Sequence, residues 1–252
     1  MRSRPAAVLI GLLLVATGCG DGAEQADRAP TTTATPAAEV SRLGGCLGPD
    51  KARLVDLPVA DSQLNAGLMG DGESGVVIAY ERNGSVCTWL PLAEVLVARR
   101  YRVALFDYSG IQTPQGDVAL VAAQLRTEGV RRVFLVGGSL GGAAVMHGGV
   151  EITPRVAGVV NVAGGLPDGE ALARRLRVPL LLVAARNDSI LQDLDAPAPR
   201  WMNQLYRAAT SAPDRQLVLV PGTEHASQLF ISPQAQPVED AVVAFLDRHS
   251  SP

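Results

Sequence analysis

The stretch RVFLVGGSLGG, residues 132–142, carries the strongest signal for the fold. Its residues 133–136 are all apolar, as in a short strand that is buried on both faces of a parallel sheet. The next residues match the pattern G-x-S-x-G, and small residues then open a helix. The pattern alone occurs by chance, but its place at a strand-to-helix turn is specific. The stretch therefore predicts a sharp turn that exposes the hydroxyl of Ser139.

The glycines around Ser139 have a steric purpose. Gly137 and Gly141 let the strand and the helix pack closely around a strained backbone, because neither carries a side chain. The backbone N–H of Leu140 then lies at the helix start, where an oxyanion would be stabilised. A turn that only packs, or one that binds phosphate, stays an alternative. Phosphate binding is disfavoured because the spacing is not G-x-G-x-x-G and no lysine follows.

Strands and helices alternate along the rest of the chain. Short apolar runs predict strands at 76–80, 103–106, 133–136, 156–160, 180–184 and 217–220. Apolar residues at helical spacing lie at 90–97, 118–125, 143–148, 201–208 and 238–246. Residues 54–57 and 64–69 predict an antiparallel hairpin at one edge. This alternation predicts an α/β fold with a doubly wound, mostly parallel sheet and helices on both faces.

A serine hydroxyl needs a base, and the chain has three histidines. His249 lies near the C-terminus, where we expect the helix to fray. His147 follows Ser139 by two helical turns, roughly 12 Å along the axis, and cannot reach it. His225 follows the strand at 217–220, so its loop lies at the carboxyl edge of the sheet, as does Ser139. We therefore predict His225 as the base.

The acid that orients this base should follow a strand at the same edge. Asp188 comes directly after the strand at 180–184 and is our prediction for this role. Asp193 and Asp195 are rivals, although they lie farther from the strand end. The chain order Ser139, Asp188, His225 is that of the α/β-hydrolases and differs from two common protease orders.

The N-terminus has the layout of an export signal. Arg2 and Arg4 precede an apolar core at 6–16, and small residues then lead to Cys19. This arrangement resembles a bacterial lipobox, which implies an exported protein anchored to the cell membrane by a lipid on Cys19. A plain signal peptide with an incidental Cys19 is the alternative. Downstream, no apolar run reaches the ~18 residues of a membrane-spanning helix.

The domain boundaries follow from composition. Residues 1–18 are the predicted lipoprotein signal peptide. Residues 19–50 are rich in Ala, Thr and Pro and predict a flexible tether. Residues 51–252 form the predicted folded domain.

Cys46 and Cys87 are the two cysteines that remain if Cys19 is lipidated. An exported protein meets an oxidising environment, so we expect these two to form a disulfide. Two buried free thiols are the alternative.

The composition excludes several classes of protein. Hydrophobic residues make up 47% of the 252 residues and charged residues 19%, which is typical of a globular chain. The formal net charge is −3, and no basic cluster with aromatic residues occurs, so we expect no nucleic-acid binding. The predicted chemistry requires neither a metal nor a cofactor.

From about Leu54 onward the chain resembles the α/β-hydrolase fold family, and most closely its small esterase-like and dienelactone-hydrolase-like members. The resemblance rests on four segments: Trp89–Asp107, Val136–Gly142, Leu180–Asp188 and Gly222–His225. It implies transfer of an acyl group to water by Ser139, Asp188 and His225. Residues 161–178 hold at most one helix, so we expect no large lid and an open site.

The chain departs from the family pattern at two places. Tyr80 and Glu81 stand where relatives often have His-Gly, so the second oxyanion donor would be the backbone of Glu81 or Arg82. The carboxylate of Glu81 would then lie near the developing oxyanion and repel it. Gly138 replaces the histidine that is common before the nucleophile.

Three functions follow as hypotheses. The first is a serine hydrolase that cleaves a small or medium soluble carboxylic ester. The second is a catalytically weak or inactive surface binding protein of the same fold, which the altered oxyanion loop favours. The third is a small peptidase, although the chain has no room for the cap that usually selects peptides. The oligomeric state stays open.

Overall fold

Eight strands form one sheet in the computed structural model, which describes residues 43–111, 113–190 and 196–251. Their order across the sheet is β1-β2-β4-β3-β5-β6-β7-β8. Strand β2 is antiparallel to both β1 and β4, and every other pair of neighbours is parallel, which confirms the predicted mostly parallel sheet with a hairpin at one edge. The strands are β1 (Arg53–Val59), β2 (Ser62–Met69), β3 (Ser74–Ala79), β4 (Tyr101–Phe106), β5 (Arg132–Gly138), β6 (Gly158–Val162), β7 (Leu180–Ala185) and β8 (Arg215–Val220).

Helices follow the parallel strands as the apolar spacing predicts. In the described part of the chain they are α1 (Leu90–Ala98), α2 (Pro114–Thr127), α3 (Leu140–Glu151), α4 (Gly169–Arg175), α5 (Ala198–Ala208) and α6 (Ala235–Ser250). Two 3₁₀ helices, Val86–Trp89 and Ala226–Ile231, precede α1 and α6. Strand β6 begins two residues later than predicted, because the backbone is still bent at residue 157.

The sheet separates two apolar layers. Along β3, Val76 and Ile78 face the layer that contains α1 and α6, whereas Val77 and Ala79 face the layer of α2, α3, α4 and α5. All four side chains are fully buried. Burial on both faces explains why the central strands are continuous apolar runs rather than alternating ones. Each fully buried Val or Ile contributes ~1.5–3 kcal/mol to the free energy of unfolding.

Parallel pairing brings the ends of the central strands to one edge of the sheet. Strands β5, β6, β7 and β8 are successive parallel neighbours, so their carboxyl ends lie side by side. Ser139 follows β5, Asp188 follows β7 and His225 follows β8. The fold thus carries all three predicted residues on the same edge.

The folded part of the chain begins earlier than predicted. Leu43 and Leu47 are buried and join in a backbone bridge, so the predicted end of the tether at residue 50 is too late. The physical reason is that Leu47 packs against Gly67 of β2, where a side chain would leave no room. The predicted signal peptide, Cys19 and the rest of the predicted tether lie outside the described residues. None of the helices described is both long and apolar enough to cross a membrane.

A disulfide joins Cys46 to Cys87, with a Cα–Cα distance of 5.8 Å. It connects the N-terminal segment to the 3₁₀ helix Val86–Trp89, as the cysteine count led us to expect. The disulfide joins residues that are 41 positions apart, so it lowers the conformational entropy of the unfolded chain and thereby stabilises the fold.

The expectation that His249 frays is wrong. Its Nε2 lies 3.0 Å from a carboxylate oxygen of Asp214, and its ring packs edge-on against Phe245 at 5.0 Å. Its carbonyl also accepts a hydrogen bond from Nε of Arg132 at 2.7 Å. These contacts hold the last turn of α6 against the amino edge of the sheet. Hydrogen bonds from Gln216, His249 and Arg248 lower the pKa of Asp214 and outweigh the opposing effect of burial.

We expect the double variant Cys46→Ala, Cys87→Ala to unfold at a lower temperature, because the unfolded chain regains the freedom of the closed loop. A loop of this length corresponds to about 4 kcal/mol, or a fall in Tm of roughly 10 °C. Thermal unfolding followed by circular dichroism measures the change. Wild type in reductant is the control, and an unchanged Tm in the variant would contradict the prediction.

Candidate active site

Ser139 sits at a turn that requires glycine two residues before it and two residues after it. Its backbone has φ +50° and ψ −110°, a strained conformation for a residue with a side chain. A Cβ on Gly137 would lie 2.3 Å from the carbonyl oxygen of Gly141. A Cβ on Gly141 would lie 2.0 Å from the carbonyl oxygen of Ala79. The G-x-S-x-G pattern therefore reflects direct backbone packing between β5, α3 and the end of β3.

Two backbone hydrogen bonds hold this turn in place. The N–H of Ser139 donates to the carbonyl oxygen of Val162 at 3.0 Å, and the N–H of Gly141 donates to that of Tyr80 at 3.1 Å. The turn is thus tied to β6 on one side and to the loop after β3 on the other. These bonds offset part of the strain at Ser139.

Asn161 supports the turn from β6, a role that our sequence analysis missed. Its fully buried side chain donates to the carbonyl of Gly164 at 2.9 Å and accepts from the N–H of Gly164 at 2.8 Å. A Cβ on Gly142 would lie only 2.4 Å from the Asn161 side-chain oxygen. The signal was a single amide within the apolar run of β6, since a buried polar side chain needs partners.

The structure joins His225 and Asp188. Nδ1 of His225 lies 2.7 Å from Oδ2 of Asp188, and both side chains are buried. Oδ1 of Asp188 accepts the N–H of Ile190 at 3.0 Å, so both carboxylate oxygens are bound. This contact favours the tautomer that carries its proton on Nδ1 and leaves Nε2 as a proton acceptor. The rivals Asp193 and Asp195 lie outside the described residues.

Nε2 of His225 is buried and has no hydrogen-bond partner among the described residues. The hydroxyl of Ser139 is therefore not hydrogen-bonded to it in this structure. Gly138, which precedes Ser139, and Ala226, which follows His225, lie close together: a Cβ on Gly138 would be 2.9 Å from the Cβ of Ala226. Unliganded hydrolase sites often have long or unformed bonds between nucleophile and base.

The predicted oxyanion donors lie around the same turn. Leu140 is the first residue of α3, so its N–H is at the positive end of the helix and has no acceptor within the helix. Glu81 and Arg82 follow β3, and the carbonyl of Glu81 accepts the N–H of Gly84 at 3.0 Å in a tight turn. The bond from Gly141 to Tyr80 keeps this loop beside α3.

The Glu81 side chain is bound by two donors. Its Oε2 accepts the indole N–H of Trp89 at 2.7 Å, and its Oε1 accepts the hydroxyl of Ser227. Both donors reduce the negative charge that we expected to repel an oxyanion. Nothing in the sequence pattern marks these two donors for this role, because Ser227 lies 146 residues from Glu81 and Trp89 lies in a separate 3₁₀ helix.

Trp89 also explains why glycine precedes the predicted nucleophile. A Cβ on Gly138 would lie 2.5 Å from the indole Cζ2 of Trp89. The indole is fully buried and packs on Phe230, with a distance of 5.3 Å between ring centroids. The space that a histidine would need is therefore filled.

Two tyrosines pack against each other where β3 and β4 end, with 4.5 Å between their ring centroids. The hydroxyl of Tyr108 donates to the carbonyl of Tyr80 at 2.8 Å, and the Tyr80 hydroxyl accepts the N–H of Tyr108 at 3.3 Å. Burial raises the pKa of both phenols, so both are neutral at pH 7.

In the part of the chain that is described, no three His, Cys, Asp or Glu side chains cluster as metal ligands would.

Solved structures with a similar fold are esterases and related hydrolases by name. The esterase Pf2001 of Pyrococcus furiosus is 15% identical, with a TM-score of 0.70 over 86% of this chain and 100% of that one. An esterase domain from Rhodothermus marinus is 18% identical, with a TM-score of 0.65 over 80% and 100%. A dienelactone hydrolase from Anabaena variabilis is 19% identical, with a TM-score of 0.64 over 79% and 98%. These similarities confirm the α/β-hydrolase fold that the sequence predicts.

No protein-family model and no curated protein sequence matches the chain.

The variant Gly141→Ala should unfold far more readily than wild type. Its methyl group would overlap the backbone carbonyl of Ala79, which cannot move without displacing β3. We expect a loss of more than ~3 kcal/mol, measured by denaturant unfolding. The control is Ala143→Gly in the same helix, which should cost about 1 kcal/mol through backbone entropy alone. Equal stability of the two variants would contradict the close packing.

Proposed function

We propose that this protein is a serine hydrolase that cleaves carboxylic esters through an acyl-enzyme. The observation that carries the proposal is the buried 2.7 Å contact between His225 and Asp188, at the sheet edge where the strained Ser139 lies. A histidine oriented by a buried carboxylate is the arrangement that activates a serine hydroxyl. The named activities of the structural neighbours agree with this chemistry.

The first step forms the acyl-enzyme. Nε2 of His225 takes the proton of Ser139 while Oγ attacks the ester carbonyl carbon. The carbonyl oxygen gains the electron pair and is held by the N–H of Leu140 and by a second N–H from Glu81 or Arg82. When the tetrahedral intermediate collapses, the alcohol leaves and takes the proton from His225.

Water completes the reaction by the same route. His225 accepts a proton from water, whose oxygen attacks the acyl carbon, and the proton then returns to Oγ of Ser139 as the acid leaves. Asp188 stays ionised and stabilises the imidazolium in both steps. Each oxyanion donor contributes ~2.7–4 kcal/mol to lowering the barrier.

The shape of the chain around the site supports a small or medium soluble ester. Between β6 and β7 the one described helix is α4, of 7 residues, which agrees with the expectation of at most one helix at 161–178. This segment is too short for the large apolar lid that covers long acyl chains. An open site leaves most of a long chain in water, so little binding energy is gained from it.

A surface binding protein with the same fold is the second candidate. The observation that favours it is the unpartnered Nε2 of His225, because an unformed bond to Ser139 also fits an inactive site. The two candidates differ in whether the serine is nucleophilic, which is directly measurable.

A fluorophosphonate probe should label wild type and leave Ser139→Ala unlabelled. The probe reacts only with an activated serine, because Oγ bonds to phosphorus as fluoride leaves. Intact mass spectrometry measures the adduct. The matched control is Ser74→Ala, a serine at the opposite edge of the sheet, which should label like wild type. Unlabelled wild type would support the binding protein instead.

An ester series on the same samples tests the substrate class. Hydrolysis of p-nitrophenyl esters should slow as the acyl chain lengthens beyond medium length. Faster hydrolysis of the long-chain esters would reject the open, soluble-substrate site while leaving the mechanism intact.

We also propose that the protein is exported and lipid-anchored through Cys19, with the residues before Leu43 as its tether. The small residues before Cys19 and the oxidised Cys46–Cys87 pair support an extracytoplasmic location. A bacterial host supplied with an alkyne fatty acid should label the full chain, and Cys19→Ser should remain unlabelled. Label that persists in Cys19→Ser would contradict the anchor site.

A further inference from the structure

Glu81 connects two segments that lie far apart in the chain. One of its carboxylate oxygens accepts the indole N–H of Trp89 in the 3₁₀ helix before α1. The other accepts the hydroxyl of Ser227, which lies 146 residues farther along the chain. Each oxygen thus binds a different segment. We call this arrangement of Trp89, Glu81 and Ser227 the Glu81 bridge.

The bridge ends two residues from the proposed base. The loop at Ser227 is not relaxed on its own, because Ala226 has φ +50°, a conformation that residues with side chains disfavour. Within this segment, His225 and Gln228 share two hydrogen bonds, at 3.1 and 3.3 Å. From outside the segment, Asp188 holds the imidazole of His225 and Glu81 holds the hydroxyl of Ser227, so two separate contacts keep the strained backbone in place.

The other end of the bridge lies against the nucleophile turn. Trp89 is fully buried and fills the space above Gly138, the residue that precedes Ser139. Orientation of the indole by Glu81 therefore affects the turn as well as the base loop. A partly buried carboxylate is costly unless its oxygens are bound, and here each oxygen receives one donor.

We propose that Glu81 is a positioning residue that holds the segment around His225 at a fixed position relative to Ser139. It acts through Ser227 on one side and through Trp89 on the other, and its own backbone belongs to the loop predicted to supply the second oxyanion donor. One side chain thereby couples the base loop to the nucleophile turn. The inference deepens the proposed hydrolase function and rests on it.

A double-mutant cycle tests the link between Glu81 and Ser227. The variants are Glu81→Ala, Ser227→Ala and the double variant, and the measurement is the rate at which the fluorophosphonate labels Ser139. Loss of a charge-assisted hydrogen bond should slow labelling by ~10- to 100-fold in each single variant. Because both single changes break the same contact, the double variant should be no more than about twofold slower than Glu81→Ala.

The conservative variant Glu81→Gln provides the rescue. Its carbonyl oxygen accepts the indole N–H, and its amide N–H donates to the Ser227 hydroxyl, which then acts as an acceptor. We expect it to recover most of the rate lost in Glu81→Ala. The matched control is Glu94→Ala, which removes an exposed glutamate paired with Lys51 and should label like wild type.

Three outcomes would overturn the inference. These are Glu81→Ala labelling at the wild-type rate, single effects that multiply in the double variant, or a Glu81→Gln variant as slow as Glu81→Ala. The first would show that Glu81 does not position the site, the second would show that Glu81 and Ser227 act independently, and the third would attribute the effect to charge rather than to the bridge.

Hydrogen–deuterium exchange keeps the test independent of activity. Peptides that cover residues 221–230 should exchange faster in Glu81→Ala and in Ser227→Ala than in wild type, and by similar amounts. If wild type does not react with the probe, the proposed function fails, but this comparison still decides whether the bridge holds the loop. Unchanged exchange in both variants would reject the bridge.

Discussion

The close approach of α3 to the end of β3 is the constraint on which the rest of the site depends. A missing Cβ at Gly141 lets the helix backbone lie against the carbonyl of Ala79, and a second missing Cβ at Gly137 lets the strand turn directly into the helix. Only this spacing permits φ +50° at Ser139 without a clash. The strain is held by backbone bonds to β6 and to the loop after β3, so the serine depends on strands that precede and follow it.

The parallel sheet places the turn at Ser139 beside the loops that carry Asp188 and His225. Successive parallel neighbours present their carboxyl ends together, so loops after β5, β7 and β8 meet although their residues are widely spaced in sequence. The buried contact between His225 and Asp188 then orients the imidazole. Both side chains are buried, so the low local dielectric screens their attraction little and the contact is strong.

The loops at this edge are held by side chains from elsewhere in the chain. Trp89 excludes any side chain from position 138, and Glu81 binds both Trp89 and Ser227. The disulfide to Cys46 holds the 3₁₀ helix that carries Trp89. The N-terminal segment thereby stabilises an element that packs on the turn at Ser139, which gives a physical role to residues that were predicted to end a tether.

The sequence by itself determined the alternation of strands and helices along the chain, the sharp turn at Ser139, and the edge on which Ser139, Asp188 and His225 lie. These are local patterns or direct consequences of parallel pairing, so they need no knowledge of packing. Only the tertiary structure decided the role of Asn161, the two partners of Glu81, the ordered end of α6 at His249 and the early start of the fold at Leu43. Each of these depends on at least one contact between different elements of the fold, such as Asn161 with Gly142 or Glu81 with Ser227, and no spacing rule describes such contacts.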